Sequence, residues 1–180
     1  MHFMRMLLQL LRSRRRSAQG LWDTYSLTLR VLPTEIDIFR HVNNGMYFSI
    51  MDLGRLDMMV RSGVWKTLRA RGWSGVVSAE TISFRKSLKL GHRYDVDTRV
   101  IGVDERTVLF EHRIVVGEEI FTRAYVATRL TSKTGRITRE DMIEVFGPPP
   151  EELELPEWLR DWHRANALPS PRQPVLRDWF

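Results

Sequence analysis

Residues 33–47, PTEIDIFRHVNNGMY, decide how the rest of the chain is read. They follow a β-like run that Pro33 stops, since proline cannot donate to a ladder. They turn through a polar loop carrying Glu35, Asp37 and His41, then open a mainly apolar helix. Asp37 is an anion at neutral pH, able to attack a carbonyl or activate water. It is equally suited to satisfying turn amides. His41, four residues on, can orient a substrate, donate to a carbonyl or lock the loop. The first amides of a helix lack internal partners and sit at the positive end of its dipole, so the backbone at Asn43-Asn44 can hold a developing oxyanion. Asn43 can also act simply as an N-cap.

Working outward, residues 21–31 alternate: Tyr25, Leu27, Leu29 and Val31 on one face, Thr24, Ser26, Thr28 and Arg30 on the other. This predicts a half-buried first strand. Residues 44–61 predict a helix apolar on more than one face, which surrounding structure must bury. Asp52, Arg55 and Asp57 leave it a narrow polar stripe, and Gly54 suggests close approach of another backbone. A basic connection, residues 65–72, leads to four strands at 76–84, 92–103, 107–116 and 119–131. Asp104-Glu105 and Gly117-Glu118 supply turns. Short links favour an antiparallel meander. The expected class is therefore α+β: one antiparallel sheet around one long central helix, with apolar surface left for a second copy to bury.

A chain of 180 residues holds one sizeable core. It divides into a basic amphipathic arm at 1–19, the domain at 20–146, and a Pro-rich linker with a tail helix at 147–180. The absence of cysteine excludes disulfides and thiolate chemistry. No ligand spacing for a metal stands out. The net charge of +6 gathers in the arm, at Arg5, Arg12, Arg14, Arg15 and Arg16. Met4, Leu7, Leu8 and Leu11 recur there at helical spacing, so the arm reads either as a solvated tail or as a peripheral membrane contact. Nucleic acid is not expected, because no aromatics interleave the basic run. A cytoplasmic location is the expectation, with peripheral membrane contact through residues 1–19 as the alternative to a solvated arm.

Further candidates have a plain alternative beside them. Glu80 interrupts the apolar face of Val76, Ile82 and Phe84, where it can position water or pair with a buried arginine. Arg85, Lys86 and Lys89 can hold phosphates or decorate a solvated edge. His112 reads as a satisfied core histidine, and Glu35 as an alternative base.

EIDIFRHVNNGMY, the helix after it, SAETISFRKSL and the meander together resemble the hotdog-fold thioesterases of the 4-hydroxybenzoyl-CoA thioesterase type. The similarity is greater still to the thioesterase superfamily member six group, running into PPPEELELPEWLRDWHRAN. The resemblance implies a hotdog fold, in dimers or dimers of dimers, hydrolysing acyl-CoA or acyl-carrier-protein thioesters without a cofactor. It places the acid/base or nucleophilic aspartate on Asp37, the carbonyl-polarising amide on Asn44 and a supporting histidine on His41. Tyr47, Glu80, Arg85, Lys86 and Lys89 are the substrate-binding candidates. The sequence departs from the family pattern at Phe39, where a related plant motif has asparagine, at Arg40, where glycine is common, and at Glu35, where aspartate is usual. A non-catalytic acyl-binding or membrane-associated scaffold is the alternative function; a hydratase of the same fold fits less well, its usual D-x-N-P-x-H being unmatched.

Overall fold

Alternating burial builds the sheet. Tyr94, Val96, Thr98 and Val100 are all buried along one face of their strand, as their spacing requires. The computed structural model describes residues 2–104, 107–151 and 153–168; Glu105 of the expected Asp104-Glu105 turn, and the tail beyond 168, lie outside them. Strands β1 (Tyr25–Arg30), β2 (Trp73–Phe84), β3 (Arg93–Asp104), β4 (Thr107–Val116) and β5 (Glu119–Ser132) form one antiparallel sheet in the order β1-β3-β4-β5-β2. The expected four-strand meander is therefore only three strands long, β3 to β5: β1 takes the β3 edge, and β2 pairs with β5 at the other end of the sheet. The β4–β5 hairpin closes on Gly117, whose φ of 63° is the left-handed conformation its turn needs. The first strand is shorter than its alternation predicts, beginning at Tyr25.

Helix α2 (Met46–Arg61) lies against β1 and β3. Its first half joins Tyr47, Ile50, Met51 and Leu53 to Tyr94, Val96 and Ile114. Its second half brings Met58 to Tyr25, Val100 and Phe110. Gly54 sits where an added Cβ would meet Thr98 Oγ1 at 2.5 Å and Val96 Cγ1 at 2.9 Å. The close approach expected there is thus made by side chains of β3, not by another backbone. Ile101, Leu109 and Ala127, on the other side of the sheet, pack with Leu155 and with Leu159 of α5 (Glu157–Asn166).

Three features depart from the sequence reading. The basic connection is a short helix, α3 (Val64–Ala70), and α4 (Arg139–Phe146) follows the sheet, started by a capping box between Thr138 and Asp141. Strand β2 carries a bulge between Val77 and Ala79, which inserts Ser78 and reverses the side-chain parity. Val76 therefore does not share a face with Glu80, Ile82 and Phe84. Helix α1 (His2–Ser13) does not trail into solvent: it packs on α2. Ser13 Oγ, Gln9 Nε2 and Arg16 Nη1 all donate to the buried Asp57 carboxylate, at 2.7, 3.3 and 2.9 Å. No described helix is long and apolar enough to cross a membrane.

Candidate active site

The loop before α2 is held by its own backbone. Residues 33–35 make one 3-10 turn, Ile36 bridges to Val42, and the Asp37 N–H donates to the His41 carbonyl at 3.0 Å. The Arg40 N–H returns to the Asp37 carbonyl at 3.0 Å, closing a tight turn. That turn puts Arg40 at φ 63°, a conformation glycine adopts freely and a side chain does not. The departure from glycine noted at this position therefore carries a backbone cost.

Asp37 serves the turn and remains available. Its Oδ1 accepts from the Phe39 N–H at 2.9 Å, an Asx turn. Its Oδ2 lies 3.5 Å from His41 Nδ1, and both side chains keep contact with solvent. The Phe39 ring stacks on the His41 imidazole, centroids 6.0 Å apart, so this position supplies an amide and an aromatic face instead of an asparagine side chain.

Helix α2 starts at Met46, two residues later than its pattern suggests, with Gly45 at the N-cap. Asn43 does not cap it in the usual register: its side-chain oxygen accepts from the Gly45 N–H at 2.9 Å and its carbonyl from the Met46 N–H at 2.8 Å. The Asn43 N–H itself goes to the Glu35 carbonyl at 2.8 Å. These bonds engage the amides on either side of Asn44. Its own N–H donates to no acceptor among the described residues and stands at an exposed position. An unengaged amide at a helix start, in the same loop as a carboxylate and an imidazole, supplies the kind of donor that can stabilise an acyl oxygen while a carboxylate acts on its carbon.

The other candidates are distributed differently. Glu35 is buried and committed, pairing with Arg5 of α1 and accepting from the Leu32 N–H at 2.8 Å, so it is a structural anchor and not a base. Tyr47 is 1% exposed; its hydroxyl accepts from the Leu88 N–H at 3.2 Å and its ring meets Phe84 edge-on, which places it in the core. Burial raises its pKa. His112 is buried with Nδ1 within hydrogen-bond distance of Thr98 Oγ1, at 2.9 Å, but its buried Nε2 has no partner among the described residues, so the expected satisfied core histidine is only half satisfied. Arg85 and Lys86 share Glu119 as a counter-ion, and Lys86 lies over the Phe121 ring. Lys89 is separate from them: its backbone bridges to His41, and its ammonium has no ion-pair partner among the described residues. The expected three-residue cluster thus divides, and Lys89 alone is tied to the Asp37 loop.

Glu80 lies 3.9 Å from Arg55, which also pairs with Asp52. Burial raises the Glu80 pKa, against the pull of the Arg55 charge. Asp52 and Arg55 border an apolar cavity of about 590 Å³, whose walls include Met58, Trp65, Trp73 and Phe110. That is the size of a small-molecule site. Neither Asp37 nor His41 lines it. Sequence reasoning did not find this cavity, since it is made where α2, α3 and β2 converge; the tryptophans flanking the basic connection were the only local signal.

A model of the thioesterase-like superfamily matches residues 31–163. The chain is 27% identical to protein THEM6 of Drosophila melanogaster, over 83% of this chain and 77% of that protein. It is 30% identical to protein THEM6 of Xenopus laevis, over 78% and 67%. Its fold superposes on the probable thioesterase YbaW of Escherichia coli with a TM-score of 0.63 at 17% identity, over 67% of this chain and 95% of that one. The matched segment includes the Asp37 loop, α2 and strands β2 to β5.

Proposed function

We infer that this chain, which belongs to the thioesterase-like superfamily and has its hotdog fold, cleaves acyl thioesters of coenzyme A or acyl carrier protein through Asp37. The observation that carries the reading is the presence, in one loop, of the Asp37 carboxylate, one oxygen facing His41, and of an Asn44 amide left unengaged among the described residues. The acyl oxygen accepts from the Asn44 N–H, which draws electron density from the carbonyl carbon. Asp37 either takes a proton from a water attacking that carbon or attacks it directly. Collapse of the tetrahedral species breaks the C–S bond and expels the thiolate, which on the water route takes up the proton that Asp37 holds. On the direct route, water then hydrolyses the acyl–Asp37 anhydride, giving the free acid, a proton for the thiolate and the carboxylate again. His41 supports the carboxylate's orientation, and Lys89 offers an unneutralised cation to the phosphates of the thiol carrier.

The active unit in this reading is a homodimer or a pair of dimers. Strand β2 is a twelve-residue edge with Val76, Val77 and Phe84 exposed, a surface that another strand can pair and cover. Its Trp73, Ser74, Gly75 and Val77 also wall the 590 Å³ cavity, so a strand paired at this edge would border the cavity; in this reading the Asp37 loop of the second copy faces it. The acyl chain then occupies the apolar cavity.

The test is hydrolysis of an acyl-CoA series, with aliphatic and aromatic acyl groups, followed by a thiol reagent. Asp37→Ala is expected to lower kcat/KM at least about 100-fold, with only the small fall in melting temperature that losing the Phe39 hydrogen bond brings. Equal activity in the two proteins would remove Asp37 from the site. Binding of acyl-CoA without turnover by the unaltered protein, including with acyl carrier protein as donor, would move the assignment to a non-catalytic acyl-binding scaffold.

A further inference from the structure

Helix α1 is docked with its polar side inward. Arg5 reaches Glu35, Met6 touches the core, and Gln9 and Ser13 are buried on Asp57. An amphipathic helix on a globular domain ordinarily does the reverse and buries its apolar stripe. Here that stripe, Met4, Leu7, Leu8 and Leu11 at spacings of three, one and three, faces outward, the four side chains 57%, 42%, 50% and 51% exposed. Continuing from its C-terminal end are Arg12, Arg14 and Arg15, all exposed and without an acidic partner among the described residues. The next arginine, Arg16, is the one turned back to Asp57.

We propose that α1 is a preformed membrane-docking face, which lays Met4, Leu7, Leu8 and Leu11 into the surface of an anionic bilayer with Arg12, Arg14 and Arg15 on its headgroups. Three observations choose this occupant. The apolar stripe and the unpaired cations adjoin, which suits a boundary where acyl chains lie beneath anionic groups. The twelve-residue helix spans about 18 Å at 1.5 Å per residue, too short to cross a bilayer but enough to lie along one. A second copy is a poorer cover, because a two-fold contact through this face would gather six unpaired guanidinium groups, three from each chain. The docking on Asp57 and Glu35 fixes the helix before it meets a membrane, so binding does not have to order it. The proposal is independent of the reaction assigned to Asp37.

The experiment is co-flotation of the full chain with vesicles of phosphatidylcholine alone and of phosphatidylcholine with phosphatidylserine, beside two variants. Leu7→Asp/Leu8→Asp and Arg12→Gln/Arg14→Gln/Arg15→Gln both change exposed positions and are expected to keep the unaltered melting temperature and circular dichroism. The unaltered protein should float with the anionic vesicles and much less with the neutral ones. Replacing the three arginines should weaken anionic-vesicle binding roughly 100-fold, from about 1 kcal/mol per basic residue. The leucine variant should lose binding to both. Equal recovery on the two vesicle types, or undiminished binding by either variant, would overturn the proposal. So would a halved solution mass of the leucine variant by light scattering, which would assign the face to a second copy.

Discussion

Asp57 holds the amino-terminal helix to the domain, and removing its carboxylate should be costly in a calculable way. The group is fully buried and accepts from four donors: Ser13 Oγ at 2.7 Å, Arg16 Nη1 at 2.9 Å, Arg61 Nη1 at 3.0 Å and Gln9 Nε2 at 3.3 Å. In Asp57→Ala the first, second and fourth donors can turn toward water as α1 loosens. Arg61 cannot, because its side chain is 5% exposed and lies over the Tyr25 ring. Breaking a buried ion pair by deleting one partner costs about 3–5 kcal/mol. Arg61 keeps hydrogen bonds to the Ser17 carbonyl and the Gln19 side chain, which places the loss near the lower end, about 3 kcal/mol. For a chain of this size that is a fall in Tm of about 6–12 °C. Urea unfolding at pH 7 gives the free energy, and limited trypsin digestion gives the state of α1, because cleavage after Arg12, Arg14 and Arg15 should accelerate as the helix detaches. Asp57→Asn, which keeps an acceptor, should fall between. A loss below about 1 kcal/mol in Asp57→Ala, or an unchanged trypsin rate, would refute a buried anchor at this position.

Other outcomes are equally definite. Gly54→Ala gains about 1 kcal/mol of helix propensity but drives a methyl into Thr98 and Val96, for a net loss of about 1–2 kcal/mol by urea titration. Arg40→Gly relieves a left-handed side-chain residue and should stabilise the Asp37 loop by up to about 1 kcal/mol, after the entropy glycine loses on folding. His112 is kept neutral by burial, and by the Arg55 charge, so its folded pKa lies well below the ordinary 6.5. The unfolded chain binds a proton there that the fold refuses, so stability present above pH 6.5 is lost as pH falls below it, by up to about 1.4 kcal/mol per pH unit. His112→Gln should flatten that slope between about pH 6.5 and 5, which separates it from the Glu80 carboxyl, whose raised pKa acts in the opposite direction.

The strands and the long helix were legible because they are local patterns, whereas the pairing of β2 with β5 instead of β3 is a long-range choice that no local pattern records. Alternation along 92–103 and 107–116, and an apolar run too broad for a surface helix along 44–61, fix which side chains seek a core before any partner is known. The Asp37 loop was legible as a constellation for a similar reason: its residues lie within a dozen positions, and one turn suffices to bring carboxylate and imidazole within 3.5 Å. Its finer state was not. That Asn43 engages the Gly45 amide and leaves Asn44's unbonded depends on the angle at which the chain enters α2, which the Glu35 carbonyl and the β-bridge of Ile36 to Val42 set.

What only tertiary structure decided is wherever residues distant in sequence compete for one partner. Glu35 and Asp37 share a parity, but Arg5, thirty positions upstream, takes the first and leaves the second. Arg85, Lys86 and Lys89 are near neighbours in sequence, but Glu119 neutralises two and the bridge to His41 holds the third. One inserted residue, Ser78, reverses the faces of β2 because strand side chains have period two. The orientation of α1 shows the division most clearly. Its sequence determines an amphipathic helix with a cationic end; a single buried carboxylate on α2 determines that the polar side turns in, since Asp57 can shed its desolvation penalty only by gathering donors, and the leucines are then left facing out.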